Sequence, residues 1–308
     1  MKGSPEITIV IPVYNRAEIV CRTLQSVLHQ TFRPLALVLV DNNSTDGTLP
    51  LLHQWVSENA TDAFSVTVLS EQIPGAAAAR NRGLQAVTSE FVMFFDSDDT
   101  MEPRHVARAM EAFRSPSRPD IVGWDVTIHD LKGRSFNKPF YDRDTIWHCI
   151  MHGSMATQRY ALRTALAREA GAWNNNILGW NDIEFGTRLL MTHPRITKLP
   201  TPTTVHIYWQ QQSITGSTFS SSPRKWEQSL DEIERNLPSR RLRRYVQLRR
   251  ALLSGNYARE GNRADSIRLL NATLSREQSP IYRTIYRIAH AYTALGGRAA
   301  ARILRPLF

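Results

Sequence analysis

Residues 91–99 read Phe-Val-Met-Phe-Phe-Asp-Ser-Asp-Asp. The uninterrupted apolar run predicts a strand over 90–95 that is buried on both faces, which is typical of a parallel sheet. Three carboxylates follow this strand, at Asp96, Asp98 and Asp99. Carboxylates this close repel one another unless a cation neutralises them. The stretch therefore predicts either a site for a hard divalent ion or an acidic turn that caps the next helix.

The stretch belongs to a series of alternating strand and helix signals. Apolar runs rich in β-branched residues predict further strands at 7–13, 35–40, 64–69 and 121–128. Amphipathic spacing predicts helices at 17–30, 44–57, 76–86, 102–114 and 182–191. Such alternation predicts an α/β fold with a mainly parallel sheet covered by helices on both faces. In sheets of this kind, ligands bind at the carboxyl ends of the strands.

Polar residues lie at three of these strand ends, in the clusters 14–16, 41–43 and 96–99. Asp41 could accept a hydrogen bond from a nucleobase or a ribose, or it could form only a local turn. Arg80, on the third helix, could hold a phosphate or a carboxylate, or could be solvated. The three strand ends together predict one polar crevice.

Four motifs occur in a recognisable order: Pro12-Val13-Tyr14-Asn15, Asp41-x-x-Ser44-Thr45-Asp46-Gly47, Gly75-x-x-x-Ala79-Arg80-Asn81 and Asp96-Ser97-Asp98-Asp99. In this order the chain resembles the inverting family 2 glycosyltransferases of GT-A fold that take part in bacterial glycan assembly. The resemblance covers about residues 6–217. It implies a GT-A catalytic domain that binds a nucleotide diphosphate sugar together with Mg²⁺ or Mn²⁺.

The resemblance also implies roles for individual residues. The second carboxylate of the Asp-x-Asp element, Asp98, is expected to bind the metal ion that bridges the diphosphate. The first carboxylate is expected to lie near the ribose. The expected nucleotide-binding residues are Pro12, Tyr14, Asn15, Asp41, Gly75, Arg80, Asp96 and Ser97.

An acidic residue at a helix N-terminus acts as the general base in that family. The stretch Gly179-Trp180-Asn181-Asp182-Ile183-Glu184 matches this element, with Asn181-Asp182 where the family commonly has Glu-Asp. Asp182 is therefore the expected base. Glu184 is the alternative, and a glutamate in a first helical turn also simply stabilises the helix dipole.

Residues 208–215 resemble the loop that closes over the donor in that family. Many relatives place a histidine before Ser-Ile-Thr, whereas this chain has glutamines there and His206 earlier. Whether the glutamine-rich loop or His206 contacts the metal stays open. The chain lacks the Gln-x-x-Arg-Trp element of processive synthases, which favours transfer of single sugars over polymer synthesis.

The charge is distributed unevenly. Residues 223–308 hold 18 of the 38 lysines and arginines but only 7 of the 28 acidic residues, and 222 nearly neutral residues precede them. We expect a GT-A catalytic domain at 1–222 and a basic helical C-terminal region at 223–308. The apolar stripe of this region, at Ile281, Ile285, Ile288, Tyr292 and Leu295, could pack on the catalytic domain.

The basic region suits two kinds of partner. It could lie on an anionic membrane surface, because a basic helix with an apolar face suits that environment. It could also bind nucleic acid through the arginines of 240–244, although the near neutrality of the preceding residues argues against this partner. We expect the chain to be cytoplasmic. If the basic region binds a membrane, we expect the chain to be peripheral on the inner membrane face. Its two cysteines, Cys21 and Cys149, show no disulfide or zinc spacing and are expected to be reduced and buried.

The resemblance thus implies a metal-dependent, inverting glycosyltransferase that uses a UDP-sugar in cell-surface polysaccharide biosynthesis. Its acceptor is expected to be the hydroxyl of a glycan or a lipid-linked glycan. Two other functions remain open. One is a nucleotidyltransferase, and the other is a nucleic-acid- or membrane-binding protein that acts through its basic tail on a non-catalytic α/β domain.

Overall fold

A computed structural model describes residues 4–210 and 218–308. The chain forms two compact units that do not divide it at a single point. Of the described residues, the first unit contains 4–145, 154–176 and 188–210, and the second contains 146–153, 177–187 and 218–308. The segment that carries Asp182 therefore clusters with the C-terminal helices. The functional boundary expected at 222 stays a prediction.

All strands belong to the first unit, and they form two sheets. The seven-stranded sheet has the order β10-β6-β9-β4-β1-β2-β3, and the four-stranded sheet has the order β5-β11-β7-β8, with these bounds: β1 (Ile7–Val13), β2 (Leu35–Asp41), β3 (Phe64–Ser70), β4 (Phe91–Phe94), β5 (Thr100–Met101), β6 (Ile121–Gly123), β7 (Val126–His129), β8 (Ser135–Lys138), β9 (Tyr160–Arg163), β10 (Ile196–Lys198) and β11 (Val205–Tyr208).

Strands β1 to β4 are mutually parallel and lie in the order β4-β1-β2-β3. The chain fills the sheet from β1 outward to β3 and then returns to the other side of β1 with β4. In open α/β sheets this reversal is the place where a crevice opens at the carboxyl ends of the strands. The turns after β1, β2 and β4 border it. Strand β9 lies between β4 and β6 and pairs antiparallel with both of them.

Helices α1 (Val20–Leu28), α2 (Thr48–Asn59), α3 (Ala76–Ala86), α4 (His105–Phe113) and α6 (Thr164–Glu169) complete the first unit. The first four cover a sheet whose β1 and β2 side chains are almost entirely buried. Helix α3 lies especially close to the sheet, because a Cβ on Gly83 would be 2.3 Å from Val10 Cγ1. This close approach brings the side chain of Arg80 to the carboxyl end of the sheet.

The second unit is helical. It contains most of α5 (Thr145–His152), the first two turns of α7 (Asn181–Met191), and the helices α8 (Pro223–Arg235), α9 (Arg240–Arg259), α10 (Arg263–Ser275), α11 (Pro280–Ala294) and α12 (Ala300–Leu304). Helix α9 is the central element and packs against α8, α10 and α11. The close contact with α11 needs a glycine, since a Cβ on Gly255 would be 2.6 Å from the carbonyl oxygen of His290.

The α/β prediction is confirmed, and several details differ from the sequence prediction. The single strand expected at 121–128 is two strands in different sheets, because Trp124 turns away to donate its backbone N–H to Arg159 O and its indole N–H to Gln158 O. Helix α2 begins at Thr48, after Gly47 with a φ of +86°. Cys149 is buried as expected, but Cys21 is exposed.

The apolar stripe predicted for the C-terminal region lies along helix α11 and is mostly exposed. Helix α11 buries Ile285, Tyr286, Ala289 and Thr293. Of the five predicted residues only Ile285 is buried, and the other four are exposed. Among the described residues, no helix is both long and apolar enough to cross a membrane.

Candidate active site

The turns after β1 and β2 are joined by hydrogen bonds. The backbone N–H of Asn15 donates to Ser44 Oγ at 3.0 Å, and the Asn15 side-chain oxygen accepts from Thr45 N at 2.8 Å. Asn15 has a φ of +49°, a left-handed conformation that asparagine tolerates better than most residues. These contacts hold the two strand ends as one rigid rim of the crevice.

Asp41, the last residue of β2, is 2% exposed. Its Oδ2 accepts a hydrogen bond from Ser44 N at 3.2 Å, whereas Oδ1 is buried and has no hydrogen-bond partner. A buried carboxylate oxygen without a donor costs about 1–3 kcal/mol or more. Asp41 is thus a turn residue, as one reading of the sequence had it, and also offers an unused acceptor to a ligand.

Gly75 lies beside this turn, at the start of α3, with a φ of +117°. Its N–H donates to Asn42 Oδ1 at 2.8 Å, and Asn42 in turn donates from Nδ2 to the carbonyl oxygens of Glu71 and Ile73. The amide of Asn42 therefore fixes the glycine turn against the end of β2. Asn42 belongs to the polar cluster at 41–43, and no local pattern in the sequence predicts these contacts.

Arg80 reaches from α3 to the end of β4. Its NH2 group donates to Asp96 Oδ1 at 2.8 Å, and its guanidinium lies 4.6 Å from the centre of the Trp173 ring. The side chain is buried, and its Nε and NH1 atoms have no partner. The guanidinium is therefore held rigidly while part of its donor capacity stays unused.

The three carboxylates after β4 have distinct surroundings. Asp99 is 1% exposed, and its side chain accepts hydrogen bonds from Gln158 Nε2 at 2.8 Å and Tyr208 N at 3.0 Å. Gln158 Nε2 also donates to Asp96 Oδ2. Asp98 differs from both, since its carboxylate accepts no hydrogen bond from any other residue in the part of the chain that the structure describes.

Asp98 does have cationic neighbours. Arg16 NH2 lies 3.9 Å from its Oδ2, and Arg22 donates to its carbonyl oxygen at 2.7 Å. Burial and the charge of Asp96 nevertheless raise the pKa of Asp98 to about 6, although the two arginines act in the opposite direction. Burial, together with Asp98 and Asp96, also raises the pKa of Asp99 well above its ordinary value. The repulsion among the three carboxylates after β4 that the sequence predicts is therefore present.

These residues fit a hard divalent cation. Asp98 presents a carboxylate without a hydrogen-bond donor next to two other acidic groups, and an added positive charge would relieve their repulsion. No group of three or more metal-binding side chains occurs among residues 4–210 and 218–308. Mg²⁺ or Mn²⁺ would then be held by Asp98 with substrate phosphate oxygens, as is usual for Mg²⁺.

The other residues predicted to bind the nucleotide also lie along β1 and the β4 turn. Pro12 pairs with Val40 within the sheet, and Tyr14 extends beyond it with 56% of its surface exposed. Ser97 is buried between the aspartates of the turn. Tyr14 alone therefore has a large free surface on which a base could stack.

His206 lies in a chain of side-chain hydrogen bonds in the four-stranded sheet. Its Nε2 is 3.0 Å from Glu102 Oε1 and its Nδ1 is 3.1 Å from His129 Nε2, while His129 Nδ1 is 2.8 Å from Ser135 Oγ. Both ring nitrogens of His206 are thus engaged with protein groups. The glutamine-rich segment expected to close over the donor lies largely outside the described residues, at 211–217.

Asp182 lies in the first turn of α7, in the second unit, and its Oδ1 accepts from Ile183 N at 2.9 Å. Trp180, two residues before Asp182, has a φ of +47°. Arg249 of α9 lies 4.6 Å from the centre of the Trp180 ring and donates to Met151 O at 2.8 Å. Burial lowers the pKa of Arg249 to about 10, and the charge of Asp182 acts in the opposite direction.

Glu184, the alternative base, is 1% exposed and accepts a hydrogen bond from Asn236 at 3.1 Å. Gly179 is packed under Trp226, where a Cβ would be 2.9 Å from the indole ring. The turn before Asp182 is therefore fixed by helices α8 and α9. No local sequence pattern indicates that the C-terminal helices hold this turn.

The strand order and the polar strand ends define a GT-A type of α/β fold, and known structures agree. S. aureus TarS 1–349 in complex with UDP-GlcNAc superposes with a TM-score of 0.71 at 17% identity, covering 98% of this chain and 92% of that one. The mannosyltransferase PcManGT from Pyrobaculum calidifontis, in complex with GDP-Man and Mn²⁺, gives 0.60 at 20% identity, covering 98% and 87%.

Residues 8–166 match the family model described as glycosyl transferase family 2. The chain therefore belongs to this family, and the class of enzyme predicted from the sequence is confirmed. An uncharacterized glycosyltransferase of Nostoc sp. is 35% identical over 118 residues, which are 38% of this chain and 35% of that protein. The chain spans between 24% and 61% of the length of four curated relatives.

Proposed function

We propose that the protein transfers a single sugar from a UDP-sugar to an acceptor hydroxyl, with inversion at the anomeric carbon and in the presence of Mg²⁺ or Mn²⁺. The acceptor is a glycan or a lipid-linked glycan in cell-surface polysaccharide synthesis. One observation carries the proposal: polar groups without a hydrogen-bond partner from another described residue lie at the ends of strands β2 and β4 and on helix α3. These groups are Asp41 Oδ1, the Asp98 carboxylate, and Nε and NH1 of Arg80.

The three groups match the parts of a nucleotide diphosphate sugar. Asp41 Oδ1 can accept a hydrogen bond from a base N–H, and the exposed ring of Tyr14 can stack on that base. Nε and NH1 of Arg80 can donate hydrogen bonds to an anionic group of the nucleotide diphosphate sugar. UDP is favoured over GDP because uracil carries one N–H on its pairing edge, which suits a single free carboxylate oxygen.

The reaction is one displacement. The acceptor oxygen forms a bond to the anomeric carbon while the bond from that carbon to the phosphate oxygen breaks, and UDP leaves with the electron pair. Asp182 takes the acceptor proton, a contribution of about 10²–10⁴ in rate. A divalent cation bound at Asp98 would stabilise the charge of the diphosphate.

Calorimetry, which measures binding of the sugar donor, tests this proposal. Wild-type protein is titrated with UDP-GlcNAc, UDP-glucose and GDP-mannose, with Mn²⁺ and with EDTA, and Asp98→Asn is titrated in the same way. We expect Mn²⁺-dependent binding of a UDP-sugar that Asp98→Asn loses. Asp182→Asn should keep donor binding and lose transfer. Absence of binding by every donor with Mn²⁺ would contradict the proposal, and preference for GDP-mannose would overturn the choice of base.

A further inference from the structure

Helix α11 exposes an apolar stripe to solvent. The buried side of the helix faces α9 and α10, whereas Ile281, Ile288, Tyr292 and Leu295 repeat at helical spacing on its outer side. Leu295 is 90% exposed and Ile281 69% exposed. Side chains of this size seldom form an exposed row unless something binds there.

The chain after α11 extends this apolar surface. It returns toward the first turn of α11, where Tyr282 Oη donates to Leu307 O at 2.9 Å and the Phe308 ring lies 5.3 Å from the Tyr282 ring. Ile303 and Leu307, both exposed, belong to this returning segment. We call the exposed side chains of α11, α12 and residues 305–307 the C-terminal face.

The C-terminal face carries positive charge only. Residues 278–308 contain five arginines and no acidic residue. Arg283, Arg287, Arg298 and Arg302 are exposed, and none of them is paired with a carboxylate in the described parts of the chain.

The arginines singled out in the sequence, at 240–244, have different surroundings. Arg240 and Arg244 both bind Glu277, at 2.8 and 2.9 Å, and Arg243 donates to Leu237 O. Helix α8 likewise pairs its carboxylates with arginines of α9 and α10 and with Arg276. The arginines at 240, 243 and 244 therefore have protein partners among the described residues, unlike the four exposed arginines of the C-terminal face.

We propose that the C-terminal face binds the surface of an anionic phospholipid bilayer. The apolar row inserts at the boundary between head groups and acyl chains, and the arginines donate to lipid phosphates. Charge complementarity selects this occupant. A second copy of the same face would bring like charges together, and a nucleic acid would leave the apolar row exposed.

Vesicle flotation of the full chain tests the proposal, without donor or metal, so that the result does not depend on the proposed transferase function. We compare phosphatidylcholine vesicles with vesicles that also contain phosphatidylglycerol. We expect wild type to bind only the anionic vesicles. We expect binding to be weakened by about tenfold or more in a triple variant that combines Ile281→Ser, Ile288→Ser and Leu295→Ser. The same loss is expected in a quadruple variant with glutamine in place of Arg283, Arg287, Arg298 and Arg302.

The matched control is Ile267→Ser with Arg263→Gln, which removes an exposed isoleucine and an exposed arginine from α10. It should bind as wild type does, and all variants should keep the wild-type thermal midpoint because the replaced side chains are exposed. Equal binding to both kinds of vesicle, or wild-type binding by both sets of variants, would overturn the proposal. So would sedimentation of wild type as a dimer that the serine variants dissociate, since the face would then bind a second copy.

Discussion

Arg80 and Asp96 form an ion pair of 2.8 Å that joins helix α3 to the turn after β4. The pair uses one nitrogen of the guanidinium, and the face of the group lies on Trp173. Nε and NH1 are left buried and unpaired. A buried donor without an acceptor is costly, and an anionic ligand that accepts from it recovers that cost.

Arg80→Lys should weaken UDP-sugar binding by about 10–100-fold, because a single ammonium cannot both bind Asp96 and replace the remaining guanidinium donors. Calorimetry with Mn²⁺ measures the loss. Arg82→Lys, at an exposed position on the same helix, is the matched control and should bind as wild type does. Equal affinities of the two variants would contradict the role assigned to Arg80.

Asp41→Asn should lower the affinity for UDP by about tenfold or more. An asparagine that keeps its oxygen on Ser44 N presents an N–H at the position of the free Oδ1, and that N–H would face the base N–H. Competition between UDP and a fluorescent UDP-sugar measures the effect. Asp142→Asn, at an exposed position, controls for the loss of one charge. Unchanged UDP affinity in Asp41→Asn would contradict the proposal that the base of the nucleotide lies next to Asp41.

Arg249→Met should lower kcat by about tenfold and leave the KM for the donor within about twofold. The positive charge of Arg249 favours the ionised form of Asp182, and its guanidinium packs on Trp180. The acid limb of the pH profile of kcat should therefore move to higher pH. Arg249→Lys should restore part of the activity, and Arg259→Met at the exposed end of the same helix serves as the control. A lower kcat with an unmoved acid limb would mean that Arg249 only supports the fold.

His105 makes the stability of the first unit sensitive to acid. Burial, with Arg108 in second place, lowers the pKa of His105 to about 3. The unfolded chain takes up this proton as the pH falls below about 6.5, whereas the folded chain does not, so stability is present at neutral pH and decreases toward pH 3. The loss is up to about 1.4 kcal/mol per pH unit.

His105→Gln should remove this part of the slope. Urea unfolding at several pH values between 4 and 7, followed by tryptophan fluorescence, measures it, and His53→Gln on the exposed side of α2 is the control. A slope in His105→Gln equal to that of wild type would contradict the assignment.

Much of the first unit could be predicted from sequence because its signals are local. The strands at 7–13 and 35–41 are continuous apolar runs, and the residues that follow them are polar. Parallel pairing then brings the strand ends to one edge without further information. The positions of Asp41, Arg80 and Asp98 at this edge follow from the same signals.

The contacts that complete the site are long-range and leave no local pattern. Gln158 reaches Asp96 and Asp99 from about 60 residues further along the chain, and Trp173 lies under Arg80 from a still more distant loop. Helical spacing alone also could not tell which side of α11 is buried. The residues that decide this, Tyr286 and Ala289, face a partner helix that the sequence pattern does not identify.

The two hydrogen bonds from Gln158 Nε2, to Asp96 and Asp99, use both protons of one amide. Residues 96–99 and Gln158 therefore form one hydrogen-bonded unit, although Gln158 lies about 60 residues further along the chain. An acidic residue at 158 would place three carboxylates around one point and would have to be accompanied by a neutral residue at 99. A substitution at 96, 99 or 158 alone breaks this shared contact, so any redesign of the turn after β4 has to treat the three positions together.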